Sequence, residues 1–541
     1  MIQHIRTYGM YILPPLSGLL LAWSFPTYHL YPLAWVALVP LFITAIKSAT
    51  VWRNAACFFV AGWVFHSVLL QWLISNIYWG GGWAVIGYQL LCIALALFWA
   101  IAGVVWGWSR RRTPIAAAAA LGVLWVWMEW CQANLFSGFG WSALGYSQGK
   151  DFALVQCAAL GGVSAISFLL VTFNGLMAFA VVERRRRVVR IIAAGVVLIG
   201  GHLIGYALIG PVDYGSKPLT AGLFQSNFPQ EMKWDREYTR EMVVKAAEHS
   251  RVLSEQHPVQ CFFWPEALVM GDYSTPELMQ PMEDLVKQTG AYLFTGATRE
   301  AEVRGSVRSY NSSMLLTPEG TVAGYYDKVH LAPFGEYMPF ASIFPFLRHI
   351  TPIDVDPGSE QKIMTMGDRR LGPLICFEVL FTPLVENLRR MGADTLVVVT
   401  NLGWFGRSNA IPQELELARF RAIEARLPLI HAANSGISGV FDPWGRFESV
   451  NAVLYQDRYH EWPRERIEDP AMFIMERCMG ALKVAAPAQR PVPGGPVVFP
   501  WVCMVIAVMF FLAALFKLGV AQTSSSETCV PAAGKVKKTK R

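Results

Sequence analysis

About seven apolar runs, each near the ~20 residues that a helix needs to cross a bilayer, follow one another through residues 1–211. Lipid offers the backbone no hydrogen-bond partners, so runs of this length specify helices. They lie near Met10 to Ser24, Tyr31 to Ile46, Asn54 to Ile74, Trp83 to Trp108, Pro114 to Leu135, Val163 to Val182 and Val188 to Ile209. The first is short and follows Arg6, as the core of a signal peptide would. No small-residue cleavage site follows it and further spans begin at once, so a retained helix is expected. An eighth run, near Val497 to Leu518, comes after a Pro/Gly-rich linker at 484–496 and before a basic tail at 519–541.

Lys and Arg set the direction of the bundle. Arg6, Lys47 with Arg53, Arg110 to Arg112, Arg184 to Arg187 and the tail residues Lys535, Lys537, Lys538, Lys540 and Arg541 fall on alternate loops. They share one face, which the positive-inside rule makes cytoplasmic. The intervening loops, such as Phe136 to Trp141, are aromatic and nearly free of positive charge. An odd number of spans puts residues 217–483 on the extracytoplasmic face, and the last span returns the tail to the cytoplasm. The formal charge of +7 is thereby a topology signal, and no nucleic-acid partner is expected.

Residues 217–483 alternate between short strand-like and helix-like runs. Strands are expected at Leu219 to Gln225, Val259 to Phe263, Ala291 to Ala297, Asp394 to Thr400 and Leu429 to Ala433, with helices at Trp234 to Glu255 and Gln413 to Arg426. Ser274-Thr275-Pro276-Glu277 opens another helix, and Asn311 to Thr317 with Thr321 to Tyr326 forms a hairpin about Pro318-Glu319-Gly320. A last hairpin turns at Asp442 to Gly445. This pattern makes an α/β sheet sandwich with helices outside, inserted into a helical membrane protein.

Three strand-like runs end on residues with chemical use. Gly372-Pro373-Leu374-Ile375 leads into Cys376, and Thr382-Pro383 starts a helix just beyond, so Cys376 sits on a strand-to-helix turn. Glu266 follows Cys261-Phe262-Phe263, and Lys328 follows Thr321 to Tyr326. A thiol reacts as thiolate, which a carboxylate can generate by taking its proton. An ammonium favours the thiolate and can later hold an oxyanion. Glu266, Lys328 and Cys376 therefore make a sufficient acyl-transfer set. Each alone has a plainer reading: a cysteine at a strand end as a small buried hydrophobe, a Lys or Glu after a strand as a solvated loop residue. Of nine cysteines, only Cys261, Cys376 and Cys478 belong to the inserted domain, with no disulfide framework. There is no metal-ligand spacing either, so neither a metal nor another cofactor is expected.

Trp-Pro-Glu at Glu266, Tyr-x-Lys at Lys328, Phe334-Gly335-Glu336-Tyr337-x-Pro339 and Cys376-Phe377-Glu378 resemble the carbon-nitrogen hydrolase (nitrilase) superfamily. With seven spans ahead and one behind, the whole chain is similar to the apolipoprotein N-acyltransferase family. The resemblance implies an αββα sandwich with Glu266 as general base, Lys328 as oxyanion support and Cys376 as nucleophile. It places Trp234 close to the active site, gives Glu336 the task of orienting the lysine, and matches Glu378 to the glutamate after the nucleophile. Where members often carry tyrosine, this chain has Phe377, whose ring can pack on an acyl chain.

The implied activity moves a fatty acyl group from a membrane phospholipid donor, through a thioester on Cys376, to the α-amine of S-diacylglyceryl-cysteine in a diacylated apolipoprotein acceptor. It implies the bacterial inner membrane, with the catalytic domain on the periplasmic side. Tyr337, Phe344 and Phe346 belong to the apolar stretch from Tyr337 to Leu347, which reads either as a lid touching membrane lipid or as an ordinary core run. Trp404 is a candidate for the opposite wall. Two rivals stand beside this reading: a membrane-anchored amidase using water as acceptor, which needs only one span, and a transporter or receptor with an inert nitrilase-like domain, which would carry charges in mid-span.

Overall fold

The computed structural model describes residues 2–76, 81–109, 113–216, 218–228, 233, 236–271, 275–303, 305–338, 355–450 and 478–509. Its apolar runs become helices α1 (Ile2–Ser24), α2 (Val39–Lys47), α3 (Val51–Leu69), α4 (Trp83–Ser109), α5 (Pro114–Asn134), α6 (Ala158–Val182) and α7 (Arg187–Ala207). Among the described residues, the stretches Trp83–Gly107, Pro114–Asn134, Leu154–Val182 and Arg187–Ala207 are long and apolar enough to cross a membrane. On α4, Trp83, Ile86, Leu90, Ile93, Leu97 and Ile101 repeat every three or four residues and are exposed, as a lipid-facing stripe requires.

The expected span Tyr31 to Ile46 is not one helix. Tyr31–Trp35 forms a 3-10 turn and α2 begins at Val39, with Pro32 and Pro40 each starting a helical piece. Asn174 of α6 satisfies the backbone freed at this break: its Oδ1 accepts from Leu38 N at 2.9 Å and its Nδ2 donates to Ala34 O at 2.9 Å. The third run likewise ends as a helix at Leu69 and continues as a 3-10 turn, Gln71–Asn76. The sixth starts earlier than expected and is kinked at Gly161 and Gly162, the latter with φ +67°. Of the eighth run, 495–509 is helical (α12), and the tail lies outside the described residues.

The inserted domain holds two six-stranded sheets. The first, in the order β12-β1-β2-β3-β4-β5, comprises β1 (Leu219–Gln225), β2 (Cys261–Phe263), β3 (Tyr292–Val303), β4 (Ser306–Leu316), β5 (Val322–Asp327) and β12 (Cys478–Val484). The second runs β11-β10-β9-β8-β7-β6, from β6 (Met364–Met366), β7 (Arg369–Ile375), β8 (Thr395–Thr400) and β9 (Leu429–Ala433) to the hairpin β10 (Gly439–Phe441) and β11 (Phe447–Ser449). Among the described strands, β1-β2-β3 and β7-β8-β9 pair in parallel. These strands are nearly continuous apolar runs, as strands buried on both faces must be.

Leu223, Phe263, Phe294, Ile375 and Val397 fill the space between the sheets. Helices α8 (Arg236–Gln256) and α9 (Pro276–Thr289) cover the first sheet over Val243, Phe262 and Leu293. On the second sheet lie α10 (Thr382–Arg390) and α11 (Ala410–Ala425), and here the layering departs from a free-standing sandwich. Leu374, Val398 and Phe420 belong to one continuous core with Leu154, Ile166 and Phe42 of the membrane bundle.

Polar groups of α11 fasten the two parts together. Gln413 Oε1 accepts from the indole nitrogens of Trp72 and Trp141 at 3.0 and 2.7 Å, and its Nε2 donates to Pro26 O and Leu69 O at 3.1 and 3.2 Å. Glu424 Oε1 accepts from Val163 N at 2.9 Å, capping the helix that restarts after the glycine kink. Replacing Gln413 by Leu strands two buried indole donors and two carbonyls. It is expected to cost about 2–4 kcal/mol, read as a lower denaturant midpoint for the detergent-solubilised protein.

Candidate active site

The carboxyl ends of β2, β5 and β7 converge, and each delivers one polar side chain. Cys376 follows β7 directly, opens the 3-10 turn Cys376–Leu380 and has φ +49°, a strained conformation for a non-glycine residue. Glu266 comes three residues after β2 and is followed by Ala267 at φ +50°. Gly296 of β3 lies under this turn: a Cβ there would sit 2.5 Å from Glu266 Cα, so only glycine lets the glutamate pass. Lys328 follows β5, whose last residue, Asp327, is clamped by Arg299 through two bonds of 2.8 and 2.6 Å.

Lys328 is buried, and its ammonium lies 2.7 Å from Glu336 Oε2 and 3.9 Å from Glu266 Oε1. The amide of Asn311 joins the two carboxylates, donating to Glu266 Oε1 at 2.8 Å and to Glu336 Oε1 at 2.7 Å. Glu336 Oε2 also accepts from Ala332 N at 2.7 Å, which folds the loop carrying Glu336 back toward the lysine. Burial works against the Lys328 ammonium, but Glu336 and Glu266 outweigh it and hold its pKa above the ordinary lysine value. Burial, assisted by Glu336 and opposed by Lys328, raises Glu266. The Cys376 thiol is pushed well up by burial and by the Glu266 carboxylate, against the pull of Lys328. A cysteine in these surroundings rests protonated, beside a carboxylate of raised basicity and a fixed cation.

Glu378 is wholly buried and holds the framework rather than facing the sulfur. Its Oε1 accepts from Tyr326 OH, Val329 N and His330 N at 2.7, 2.9 and 3.1 Å, and its Oε2 from Ile375 N at 2.8 Å. One carboxylate thus ties the loop after Lys328 to the end of β7, next to Cys376. Lys233, also buried, donates to Glu266 O at 3.3 Å; burial pushes its pKa down to about 7, against the opposing pull of Glu266.

The other expected site residues fall in several places. Phe377 packs between Phe381 and Phe139, with ring centroids 5.4 and 6.5 Å away. Tyr337 closes the Glu336 loop, its carbonyl accepting from Phe334 N at 2.8 Å. Trp404 is half-buried on the 3-10 turn Leu402–Phe405, next to Phe405, whose ring meets Trp72 of the membrane part at 4.7 Å. Trp234, Phe344 and Phe346 lie outside the described residues. Sequence reasoning gave Asn311 no role beyond its hairpin motif and overlooked Thr400, Glu414 and His431 behind the cysteine.

Residues 17–176 match the family described as Apolipoprotein N-acyltransferase N-terminal domain, and residues 220–451 match Carbon-nitrogen hydrolase. A relative from Geobacter metallireducens named Apolipoprotein N-acyltransferase is 32% identical over 460 residues, covering 82% of this chain and 88% of its own. One of the same name from Chlorobaculum tepidum is 30% identical, covering 81% and 87%. Among solved structures, Saccharomyces cerevisiae Nit3, a member of branch 10 of the nitrilase superfamily, is similar at 18% identity and TM-score 0.35, over 43% of this chain and 85% of that one. A bundle of apolar helices carrying a carbon-nitrogen hydrolase domain, matched along most of its length at this identity, belongs to the apolipoprotein N-acyltransferase family.

Proposed function

We propose that this chain transfers a fatty acyl group from a membrane phospholipid to the N-terminal α-amine of a diacylated apolipoprotein, with Glu266, Lys328 and Cys376 as its catalytic residues. The observation that carries the reading is one buried ammonium shared by two carboxylates beside the Cys376 thiol, at the junction with a bundle of apolar helices. Both substrates reside in the bilayer, and a catalytic domain fused to membrane helices by a common core stands where they are. The amidase rival leaves that fusion without a purpose. The inert-domain rival leaves unexplained why three ionisable groups share one buried site, an arrangement that folding alone disfavours.

In this mechanism Glu266 takes the thiol proton as Sγ attacks the ester carbonyl, and Lys328 receives the oxyanion. The carbon–oxygen bond of the ester breaks, the proton on Glu266 passes to the departing lysophospholipid oxygen, and a thioester remains. The acceptor amine then attacks the thioester carbonyl and gives its proton to Glu266. The carbon–sulfur bond breaks and the thiolate is reprotonated, leaving an amide product and the resting enzyme. Glu336 and Asn311 serve this cycle by fixing the lysine and the base at constant separation. The basic segment Arg184 to Arg187 lies at the cytoplasmic side of the inner membrane, which leaves the catalytic domain periplasmic.

Incubated with phospholipid, the purified protein is expected to show an acyl adduct on the Cys376 peptide by mass spectrometry, lost on adding a diacylated lipopeptide. Cys376→Ala should show neither adduct nor product. An adduct lost equally fast to water would favour the amidase, and no adduct on the unaltered protein the inert domain. The acid limb of acyl transfer should lie above the ordinary carboxylate range, because Glu266 must ionise and its pKa is raised. Glu336→Gln removes a like charge and leaves Lys328 to Glu266 alone, so that limb should move down by about one pH unit while the maximal rate falls. Changing Phe344 and Phe346 together to Asp should remove most phospholipid turnover with unfolding unchanged; full turnover would dispose of the lid.

A further inference from the structure

Behind the nucleophile strand lies a second polar cluster that the transfer mechanism does not use. Parallel pairing of β7 with β8 sets Ile375 opposite Val399, so Cys376 and Thr400 each follow directly on a matched pair, and the Thr400 hydroxyl is among the groups that pull the thiol pKa down against its burial. That hydroxyl donates to Glu414 Oε1 at 2.8 Å. Glu414 Oε2 meets His431 Nε2 at 3.1 Å, and His431 Nδ1 lies 2.8 Å from Ile437 O. All three side chains are buried.

The protons of this cluster can be counted. A carbonyl oxygen only accepts, so His431 Nδ1 carries a hydrogen toward Ile437. The contact between Nε2 and Glu414 then needs one more proton, held either as imidazolium with carboxylate or as imidazole with carboxylic acid. In both forms the pair is neutral overall. A carboxylate so compensated holds the Thr400 hydrogen less tightly than a bare one would. Thr400 has one hydroxyl hydrogen and two acceptors for it, Glu414 and, once Glu266 has taken the thiol proton, the Cys376 thiolate.

We infer that Thr400, Glu414 and His431 are a positioning relay for the nucleophile: Thr400 turns its hydroxyl from Glu414 to the thiolate as it forms, and the neutral Glu414–His431 pair permits that turn. The inference rests on Cys376 being the nucleophile. Among the described residues, the ionisable groups that act on the thiol are Glu266, Lys328 and Glu414, and Glu414, compensated by His431, is the one behind the strand. Without His431, Glu414 becomes an uncompensated negative charge behind the sulfur and keeps the Thr400 hydrogen.

The test reads the thiol directly, as the pH dependence of iodoacetamide alkylation at the Cys376 peptide in the full-length, detergent-solubilised protein. Thr400→Val should raise the midpoint, slowing alkylation at neutral pH by roughly tenfold for every pH unit that the midpoint climbs, and Thr400→Ser should restore it. His431→Gln should raise the midpoint as well, and adding Glu414→Gln should bring it back down. A merely structural role would leave the double variant no better than the single one. Wild-type midpoints in both Thr400→Val and His431→Gln would overturn the relay. If His431→Gln does not accumulate, the Thr400→Val and Thr400→Ser pair decides alone. Alkylation does not depend on turnover, so a wrong assignment of the nucleophile is distinguished separately, by acyl transfer persisting in Cys376→Ala.

Discussion

The site depends on keeping one ammonium out of water. Lys328 is 1% exposed, and an unpaired charge so placed would be neutral or would unfold its surroundings. Glu336 at 2.7 Å offsets that cost, and Glu266 at 3.9 Å adds its own attraction, so the lysine stays charged. Burial, with Glu336 beside it, raises Glu266 against the pull of the lysine, and burial with the Glu266 carboxylate raises the thiol. The resting state is therefore a protonated thiol beside a carboxylate already inclined to accept a proton. Asn311 fixes this arrangement: its amide bonds both carboxylates, so Glu266 is held at 3.9 Å from the lysine while Glu336 bonds it directly.

The three residues proposed to react are legible in the sequence because each follows an apolar strand, and strand ends are where an α/β sheet presents side chains to a ligand. The groups of the second rank are hidden for a definite reason. Thr400 closes the apolar run Thr395–Thr400, Asn311 sits within β4, and Glu414 and His431 look like ordinary helix and strand residues. Nothing local reveals that β7 and β8 pair with Ile375 opposite Val399, one residue short of Cys376 and Thr400, because register between neighbouring strands is a tertiary fact. The broken second span escapes for a similar reason: hydropathy sees the apolar character of Tyr31 to Lys47 but not Asn174, 136 residues beyond Leu38, which lets the helix stop inside the bundle.

α11 is the clearest case of tertiary structure overriding pattern. Its sequence, with Gln413, Glu414, Glu416, Arg419, Arg421 and Glu424, has the composition of a solvent-facing helix in a free-standing sandwich. Every one of its described side chains is buried or nearly so, because the membrane part covers the face that water would otherwise wet. Its charges are matched across that junction: Arg421 donates to Tyr146 OH at 2.7 Å, Glu424 caps Val163, and Arg426, just past the helix, donates to Gln156 Oε1 at 2.7 Å. A polar junction of this kind fixes relative orientation more sharply than a greasy one, since each bond has a direction and an unmet partner is costly.

That orientation reaches the chemistry through two consecutive residues. Gln413 points into the membrane part, where it bonds Trp72 and Trp141, while Glu414 points the other way, to Thr400 and His431 behind Cys376. Neighbours on a helix are turned by roughly 100° about its axis, so neither can be repositioned without the other. Docking against the membrane helices and placement of the Glu414 cluster are thus one geometric condition, met by one turn of helix. α10 and α11 close that side of the second sheet, and next to Cys376 the ring of Phe377 packs with Phe139 and Phe381 in an aromatic edge. There the loop carrying Ser137 accepts from His330 Nε2 at 2.9 Å and brings the membrane part within two residues of Lys328.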